Sequence, residues 1–373
     1  MLGLYIHIPF CSQVCPYCDF TKMVASENFK KSYIEALCKE MKLKKLDNYT
    51  FDTLYIGGGT PSSLSLELLE ILFSNLEKYI NLKSLQEITF EMNPEDVNED
   101  ILKLLKKHFV TRISLGIQSL NSKIQSIIKR FLTKPDLEKI VELFKKYDFN
   151  NYSFDLMYGF SNETLEDVEE DVKDLLKYNP THISTYALIL EPHTIFYYKT
   201  THDHVNFEAS DDLEALMYSK ITDILELNGY HNYELSNFSK EGYMSKHNLI
   251  YWNYDYYLTL GASATGLYND VRYKTTSSIS KYINGLLNDN KLVYEKEVLS
   301  FDELIEEYII TNLRKADGIN MSKFNEKFKN TIYNLLPNTA LLLKQGYLEV
   351  SGNNIFIPKK YRYVSNAIMA KLL

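Results

Sequence analysis

The chain is poor in the residues that would mark several large classes of protein. Of its 373 residues only four are cysteine and one is tryptophan, while proline and glycine number nine and fourteen. So few cysteines, three of them crowded together, do not make a disulfide framework, and an odd cluster suits a reducing compartment. Scarce proline and glycine, with 45% hydrophobic and 24% charged residues, argue against long disordered tracts. Excess positive charge is also missing. A formal net charge of −8 leaves no electrostatic footprint for nucleic acid, and no such partner is expected. No apolar run is long enough for a transmembrane segment, and the first apolar stretch leads directly into cysteines rather than into a signal-peptide pattern. A cytoplasmic protein is therefore expected. Tyrosine is abundant, at 30 residues, but assigns no function by itself.

What is present is concentrated near the start, where Cys11, Cys15 and Cys18 fall within the stretch Tyr5-Ile-His-Ile-Pro-Phe-Cys-Ser-Gln-Val-Cys-Pro-Tyr-Cys-Asp-Phe20. A C-x3-C-x2-C loop can supply three corners of a cubane iron–sulfur cluster and leave one iron without a protein ligand. A structural zinc site would need a fourth Cys or His. Zinc completed by a distant histidine, or three unrelated thiols, are the alternatives at this point. Cys38 lies apart, at helical spacing with Ile34, Leu37 and Met41, and is expected as a core thiol.

Periodicity places strands at Leu2 to Pro9, Asp52 to Ile56, Glu87 to Met92, Arg112 to Ile117, Tyr152 to Tyr158 and His182 to Leu190. Helices are predicted from about Asn28 to Leu46, from near Ser65, over Pro135 to Tyr147, Thr164 to Tyr178 and Asp211 to Leu227. Such alternation predicts a parallel sheet curled into a partial barrel, whose active site gathers on the C-terminal rim. Polar or glycine-rich sequences fall at those strand ends: Gly57-Gly-Gly-Thr-Pro-Ser62, Glu91-Met-Asn-Pro94, Gly116-Ile-Gln-Ser119 and Asp155. Singly each could be a turn or a cap. Together, behind a cysteine loop, they mark a site.

These residues carry a resemblance. The cysteine loop resembles that of the radical SAM superfamily. Its flanks, Tyr-x-His-Ile-Pro-Phe and Asp-Phe, resemble the branch holding oxygen-independent coproporphyrinogen III oxidases and HemW-type haem chaperones. The resemblance implies a 4Fe-4S cluster on Cys11, Cys15 and Cys18 and a site for S-adenosylmethionine (SAM). The SAM-contacting positions it implies are Tyr5, Gly58, Gly59, Thr60, Glu91, Gln118, Arg130, Asp155 and Ala187. Two motifs depart from the family pattern: Arg130-Phe-Leu132 stands for Arg-x-His, and Phe160-Ser-Asn162 for Leu-Pro-Gly.

Further on, His247-Asn-Leu-Ile-Tyr-Trp252 lies among Tyr251, Tyr254, Tyr256 and Tyr257. On the residues alone, this is either a packed aromatic corner or the lining of a flat apolar ligand with His247 as an axial donor. The HNxxYW pattern resembles the HemW-type hallmark, which implies haem as bound cargo and His247 as a haem residue. The family's downstream Ala-His-Ser is replaced by Gly261-Ala-Ser-Ala-Thr-Gly266.

From about Phe301 helical patterns (Leu304 to Lys315, Met321 to Phe328, Ile332 to Gln345) precede a two-stranded ribbon around Gly346 to Val350 and Asn354 to Ile357. They predict a small winged-helix-like module resembling the family's HemN-type C-terminal domain. The expected architecture is thus a partial (β/α)6 TIM-like barrel of the radical SAM type over 1–235, an HNxxYW segment completing the core over 236–300, and the C-terminal domain over 301–373.

Two functions follow from the resemblance. One is a haem chaperone that binds cluster, SAM and haem and passes haem to acceptor proteins, with transient contact to membrane haemoproteins. The other is an oxidase decarboxylating coproporphyrinogen III propionates in porphyrin biosynthesis. The oxidases carry Cys-Gly-Cys where this chain has Cys18-Asp19-Phe20. That favours the chaperone and leaves enzymatic turnover undecided.

Overall fold

The structure is a computed structural model that describes residues 1–373. Six parallel strands, β1 (Leu2–Ile8), β2 (Thr53–Gly58), β3 (Glu87–Met92), β4 (Arg112–Gln118), β5 (Tyr152–Tyr158) and β6 (His182–Ala187), pair in chain order. Between them run α1 (Glu27–Leu43), α2 (Leu66–Leu76), α3 (Glu99–Lys107), α4 (Ser122–Ile128), α5 (Lys134–Lys146) and α6 (Leu165–Leu176). Two more, α7 (Ile195–His202) and α8 (Asp211–Leu227), follow β6. Side chains that the sequence offers as N-caps take up that role: Ser26, Ser65, Asn98, Thr133, Thr164 and Ser210 each accept from a first-turn N–H. This is the expected partial (β/α)6 barrel.

Strand alternation divides the barrel into two chemistries. Leu4, Ile6, Leu54, Ile56, Ile88, Phe90, Ile113, Leu115, Phe154 and Leu156 are buried with Leu37, Leu69, Leu72, Leu102, Leu105, Phe144 and Val172 of the helices in one apolar core. Each such side chain contributes about 1.5–3 kcal/mol by leaving water. The alternate positions hold Tyr5, His7, Tyr55, Glu87, Glu91, Arg112, Ser114, Ser153, Asp155, His182 and Ser184, so the interior is polar where a closed barrel would hold aliphatic layers.

The sheet grows at both edges. Beyond β6 comes a hairpin, β7 (His231–Glu234) and β8 (Asn237–Ser239), with β8 antiparallel to β6. Helix α9 (Lys246–Trp252) then enters the floor of the barrel, packing on β1, β2 and β3. Next β9 (Tyr256–Leu260) joins β1 in parallel, extended antiparallel by β10 (Thr265–Tyr268), β11 (Val271–Thr275) and, after α10 (Ile279–Leu287), β12 (Tyr294–Val298).

The C-terminal module contains α11 (Phe301–Asn312), β13 (Ile319–Asn320), α12 (Met321–Phe328), α13 (Ile332–Leu335), α14 (Thr339–Lys344), β14 (Glu349–Ser351), β15 (Asn354–Phe356) and α15 (Ser365–Leu372). A second apolar core, including Ile309, Phe324, Phe328, Leu342 and Ile355, holds it together. The ribbon has three strands rather than two, because β13 pairs with β15. The helix expected over Ile332 to Gln345 is split at Leu336-Pro337, since the residue before a proline is driven out of helical geometry. Helix α11 starts three residues earlier than expected, at a capping box of Ser300 and Glu303.

Candidate functional site

The cysteine loop is built on a pinched base. Phe10 and Met23 form a bridge, Cys11 N–H donates to Met23 O at 3.1 Å, and Met23 N–H donates to Pro9 O at 2.8 Å. His7 fixes the returning limb: its Nε2 donates to Thr21 O at 2.9 Å, which leaves Nδ1 to accept from the Tyr5 hydroxyl at 3.0 Å. Behind the loop, Thr21 Oγ1 donates to Ser263 Oγ at 2.8 Å, and Lys22 Nζ donates to Cys18 O. Gly261, at φ 102°, carries that support; a Cβ there would lie 2.6 Å from both His7 O and Tyr33 Oη. The Gly-Ala-Ser-Ala run is therefore the buttress of the cysteine loop.

The loop and the strand ends enclose a cavity of about 420 Å³ at the barrel rim. Cys11, Cys15, Cys18, Gly58, Gly59, Thr60, Glu91, Gln118, Arg130, Asp155 and Ala187 all line it. The glycine turn presses against the thiols: a Cβ on Gly59 would lie 2.8 Å from Phe10 O and 3.1 Å from Cys11 Sγ. Thr60 Oγ1 reaches Cys11 Sγ at 3.5 Å. Arg130 is delivered by the left-handed Lys129 that ends α4. It donates to Asn93 Oδ1 at 3.0 Å and Gly116 O at 3.2 Å while approaching Cys15 Sγ at 3.9 Å. Arg130 thus ties the loop to two strand ends.

Glu91 accepts from the Tyr55 hydroxyl at 2.6 Å and from Gly58 N–H at 3.0 Å, and burial pushes its pKa up to about 7. Gly57 must be glycine, since a Cβ would sit 2.7 Å from that carboxyl. Asp155 accepts from Ser114 Oγ at 3.2 Å, and burial, opposed by the Arg112 charge, raises its pKa to about 6. Burial likewise pushes the Cys11 and Cys18 thiols up. Glu91 is thus part-protonated near neutral pH and would ionise fully beside a cationic ligand, whereas Asp155 is already mostly ionised there and can accept from a hydroxyl.

All four cysteines are free thiols. The donor set fits a cubane better than zinc: the cavity wall offers no histidine and no fourth cysteine. The chain also has no three His, Cys, Asp or Glu side chains placed to hold one metal ion. A cubane puts each thiolate on a different iron and does not require such convergence. Cys38 packs against the apolar core, its thiol raised to about 11 by burial.

Two expected residues stand off this wall. Tyr5 points into the barrel and is committed to His7. His247 lies in the floor, fully buried, with Nδ1 2.7 Å from Thr53 Oγ1 and Nε2 2.8 Å from the Tyr251 hydroxyl. Burial lowers its pKa to about 3, so the ring is neutral. Its backbone N–H donates to Glu87 Oε1 at 3.0 Å, and Gly3 leaves room for its ring, where a Cβ would come within 3.0 Å. The expectation of a nitrogen offered to haem iron differs from this arrangement, in which neither nitrogen is free. Arg112, Ser114, Ser184, Tyr186 and Asn248 also line the rim cavity without having been expected. The inward-facing alternation on β4 and β6 could have found all but Asn248.

The family model of the radical SAM superfamily matches residues 5–175, and that of the HemN C-terminal domain residues 299–363. The chain is 36% identical to "Heme chaperone HemW" of Lactococcus lactis over 99% of its length and 96% of the relative's. It is 32% identical to the protein of the same name from Bacillus subtilis, over 100% and 99%. Among solved structures, Escherichia coli coproporphyrinogen III oxidase (HemN) superposes with a TM-score of 0.84 at 21% identity, covering 100% of this chain and 89% of that one, and so shares the fold. Radical SAM membership implies a 4Fe-4S cluster and SAM. With relatives this similar over its full length, the chain belongs to the HemW family of heme chaperones within the radical SAM superfamily.

Proposed function

We propose that the protein is a haem chaperone that holds a 4Fe-4S cluster and SAM at the barrel rim and passes haem to acceptor proteins in the cytoplasm. The observation that carries this is the full-length likeness to heme chaperones in a chain that keeps the three-thiol rim cavity and has Phe20 two residues beyond Cys18. Cys11, Cys15 and Cys18 hold the cluster. Gly58, Gly59, Thr60 and Glu91 receive the methionyl end of SAM; the Glu91 carboxylate takes its ammonium, Arg130 takes its carboxylate, and Asp155 takes a ribose hydroxyl. When bound, the cluster supplies an electron and an open iron for SAM. This chain's own residues orient SAM and keep the reactive end among the Tyr55, Tyr186 and Met157 side chains that line the cavity.

The chaperone reading is tested against the oxidase on anaerobically reconstituted protein by a haem titration at the Soret band, alongside an oxidase assay with SAM, reductant and coproporphyrinogen III. Haem binding without decarboxylation is expected. Decarboxylation without haem binding would replace the chaperone by the oxidase. No helix is long and apolar enough to cross a membrane, so contact with membrane haemoproteins would be peripheral.

A further inference from the structure

Arg112 is the only lysine or arginine on the six parallel strands. Strand alternation turns it inward on β4, where it is 1% exposed and yet lines the rim cavity. A guanidinium carries five N–H donors, and a buried one is ordinarily bound to a carboxylate. Arg112 is not: its Nε is buried without a partner, and it forms no ion pair. The pairing register sets Arg112 opposite Thr89, so that Glu87 lies one inward position toward the floor and Glu91 one toward the rim. On the other side, Asp155 stands opposite Gly116, two inward positions above Arg112.

These three carboxyls are held by other groups. Glu87 commits both oxygens to the start of α9, accepting from Lys246 N–H at 3.1 Å and His247 N–H at 3.0 Å. Glu91 is held by Tyr55 and Gly58, and Asp155 shares the Ser114 hydroxyl between its oxygens at 3.2 and 3.4 Å. A cation placed among them acts through space, because in a low-dielectric interior a fixed charge some ångströms away still favours an ionised carboxyl. Burial pushes Asp155 and Glu91 toward protonation, and the Arg112 charge opposes it at both. The other titratable groups facing this space bring no positive charge at neutral pH. Burial keeps Tyr5, Tyr55, Tyr186, Tyr233 and Tyr251 protonated, from β1, β2, β6, β7 and α9. His182 and His247, on the floor side, are neutral, lowered by burial and by Arg112 itself. The remaining cations of the cavity wall, Arg130 and Lys22, are engaged at the cysteine loop.

We propose that Arg112 is a positioning residue of the SAM site: its unpaired charge, set beneath the cavity, keeps Asp155 and Glu91 in the carboxylate form that receives SAM, without touching SAM. This rests on the reading of those two residues as SAM contacts given above.

The test titrates SAM calorimetrically into the cluster-loaded wild type, Arg112→Gln and Arg112→Lys from about pH 6 to about pH 9.5. The ratio of wild-type to variant affinity is followed, which cancels the titration of SAM's own amino group. Arg112→Gln should bind SAM roughly tenfold more weakly near pH 7, with the deficit closing to within about twofold near pH 9.5, where both acids ionise unaided. Arg112→Lys, which keeps the charge, should stay within about threefold of the wild type throughout. A deficit in Arg112→Gln that is the same at every pH, no deficit at all, or a lysine variant as weak as the glutamine one overturns the proposal. Removing Arg112 leaves Glu87 buried without a facing cation, so the glutamine variant is also made together with Glu87→Gln, with cluster iron and sulfide as the folding control. Loss of the cluster in both backgrounds marks Arg112 as a structural charge and overturns the proposal as well. No SAM binding by the wild type, or affinity unchanged in Glu91→Gln and Asp155→Asn, would instead overturn the site reading on which it rests.

Discussion

The two ends of the barrel are built by opposite means. The rim is made largely of loop and backbone: a pinched cysteine loop, a glycine turn pressed on Cys11 and strand ends that point their polar groups inward. The floor is made of side chains on packed elements, with α9 wedged under β1 to β3 and its histidine paired on both nitrogens. A backbone-built site can change partners at small cost, because its groups are positioned by strands that stay in place. A floor of interlocked buried side chains resists change, and its substitutions register first as lost stability.

The sharpest way to break this comparison is at the thiols. Alanine at Cys11, Cys15 or Cys18 should abolish the cluster, whereas Cys38→Ala should retain it, as read by iron and sulfide content. Equal loss in the Cys38 variant would mean that the rim is not the cluster site. At the floor, His247→Ala should cost about 3 kcal/mol in denaturant unfolding, by leaving a void and stranding the Thr53 and Tyr251 hydroxyls. A cost near zero would show an imidazole free for a ligand after all.

The pH dependence separates the ends further. Glu91, with its folded pKa raised to about 7, must ionise to hold an ammonium, so SAM affinity should fall by up to about tenfold per pH unit below 7, with protons released on binding. Calorimetry in buffers of different ionisation enthalpy measures this, and Glu91→Gln should flatten the slope. The His247 pKa is shifted downward rather than upward, yet its effect too is lost on acidification. Its folded pKa, about 3, lies below the unfolded value, so its contribution to stability is full above about pH 6.5 and is lost as pH falls toward 3, by about 1.4 kcal/mol per unit. Unfolding curves between neutral pH and about pH 5 check it, with a slope that His247→Gln should reduce. The smallest effect is expected at Ser263→Ala, about 1 kcal/mol from the lost bond with Thr21.

The rim was legible in sequence because its parts are short contiguous motifs whose spacing states their chemistry. Strands β3 and β5 run between the expected residues, and Ser65 caps the helix expected to start there. The floor was illegible for a physical reason. Nothing in His247-Asn-Leu-Ile-Tyr-Trp252 says that a seven-residue helix will enter a barrel whose interior is polar, so that a histidine can match a family motif and yet be closed to solvent. Strands β9 to β12 left no clear signal either: β12 is exposed along its whole length and alternates nothing.

The parallel pairing of β9 with β1 sets an order of assembly. Leu2 meets Tyr256 and Ile6 meets Leu260, so the strand that leads into the cysteine loop has a partner on only one edge until the ribosome has passed residue 260. Gly261 and Ser263, which brace the loop, arrive just after. Throughout synthesis of the six-stranded half the loop therefore lacks its Ser263 brace and is held by the Phe10–Met23 pinch, His7 and Arg130 alone, and the closing contact spans about 250 residues of chain, the kind of long-range pairing that forms late.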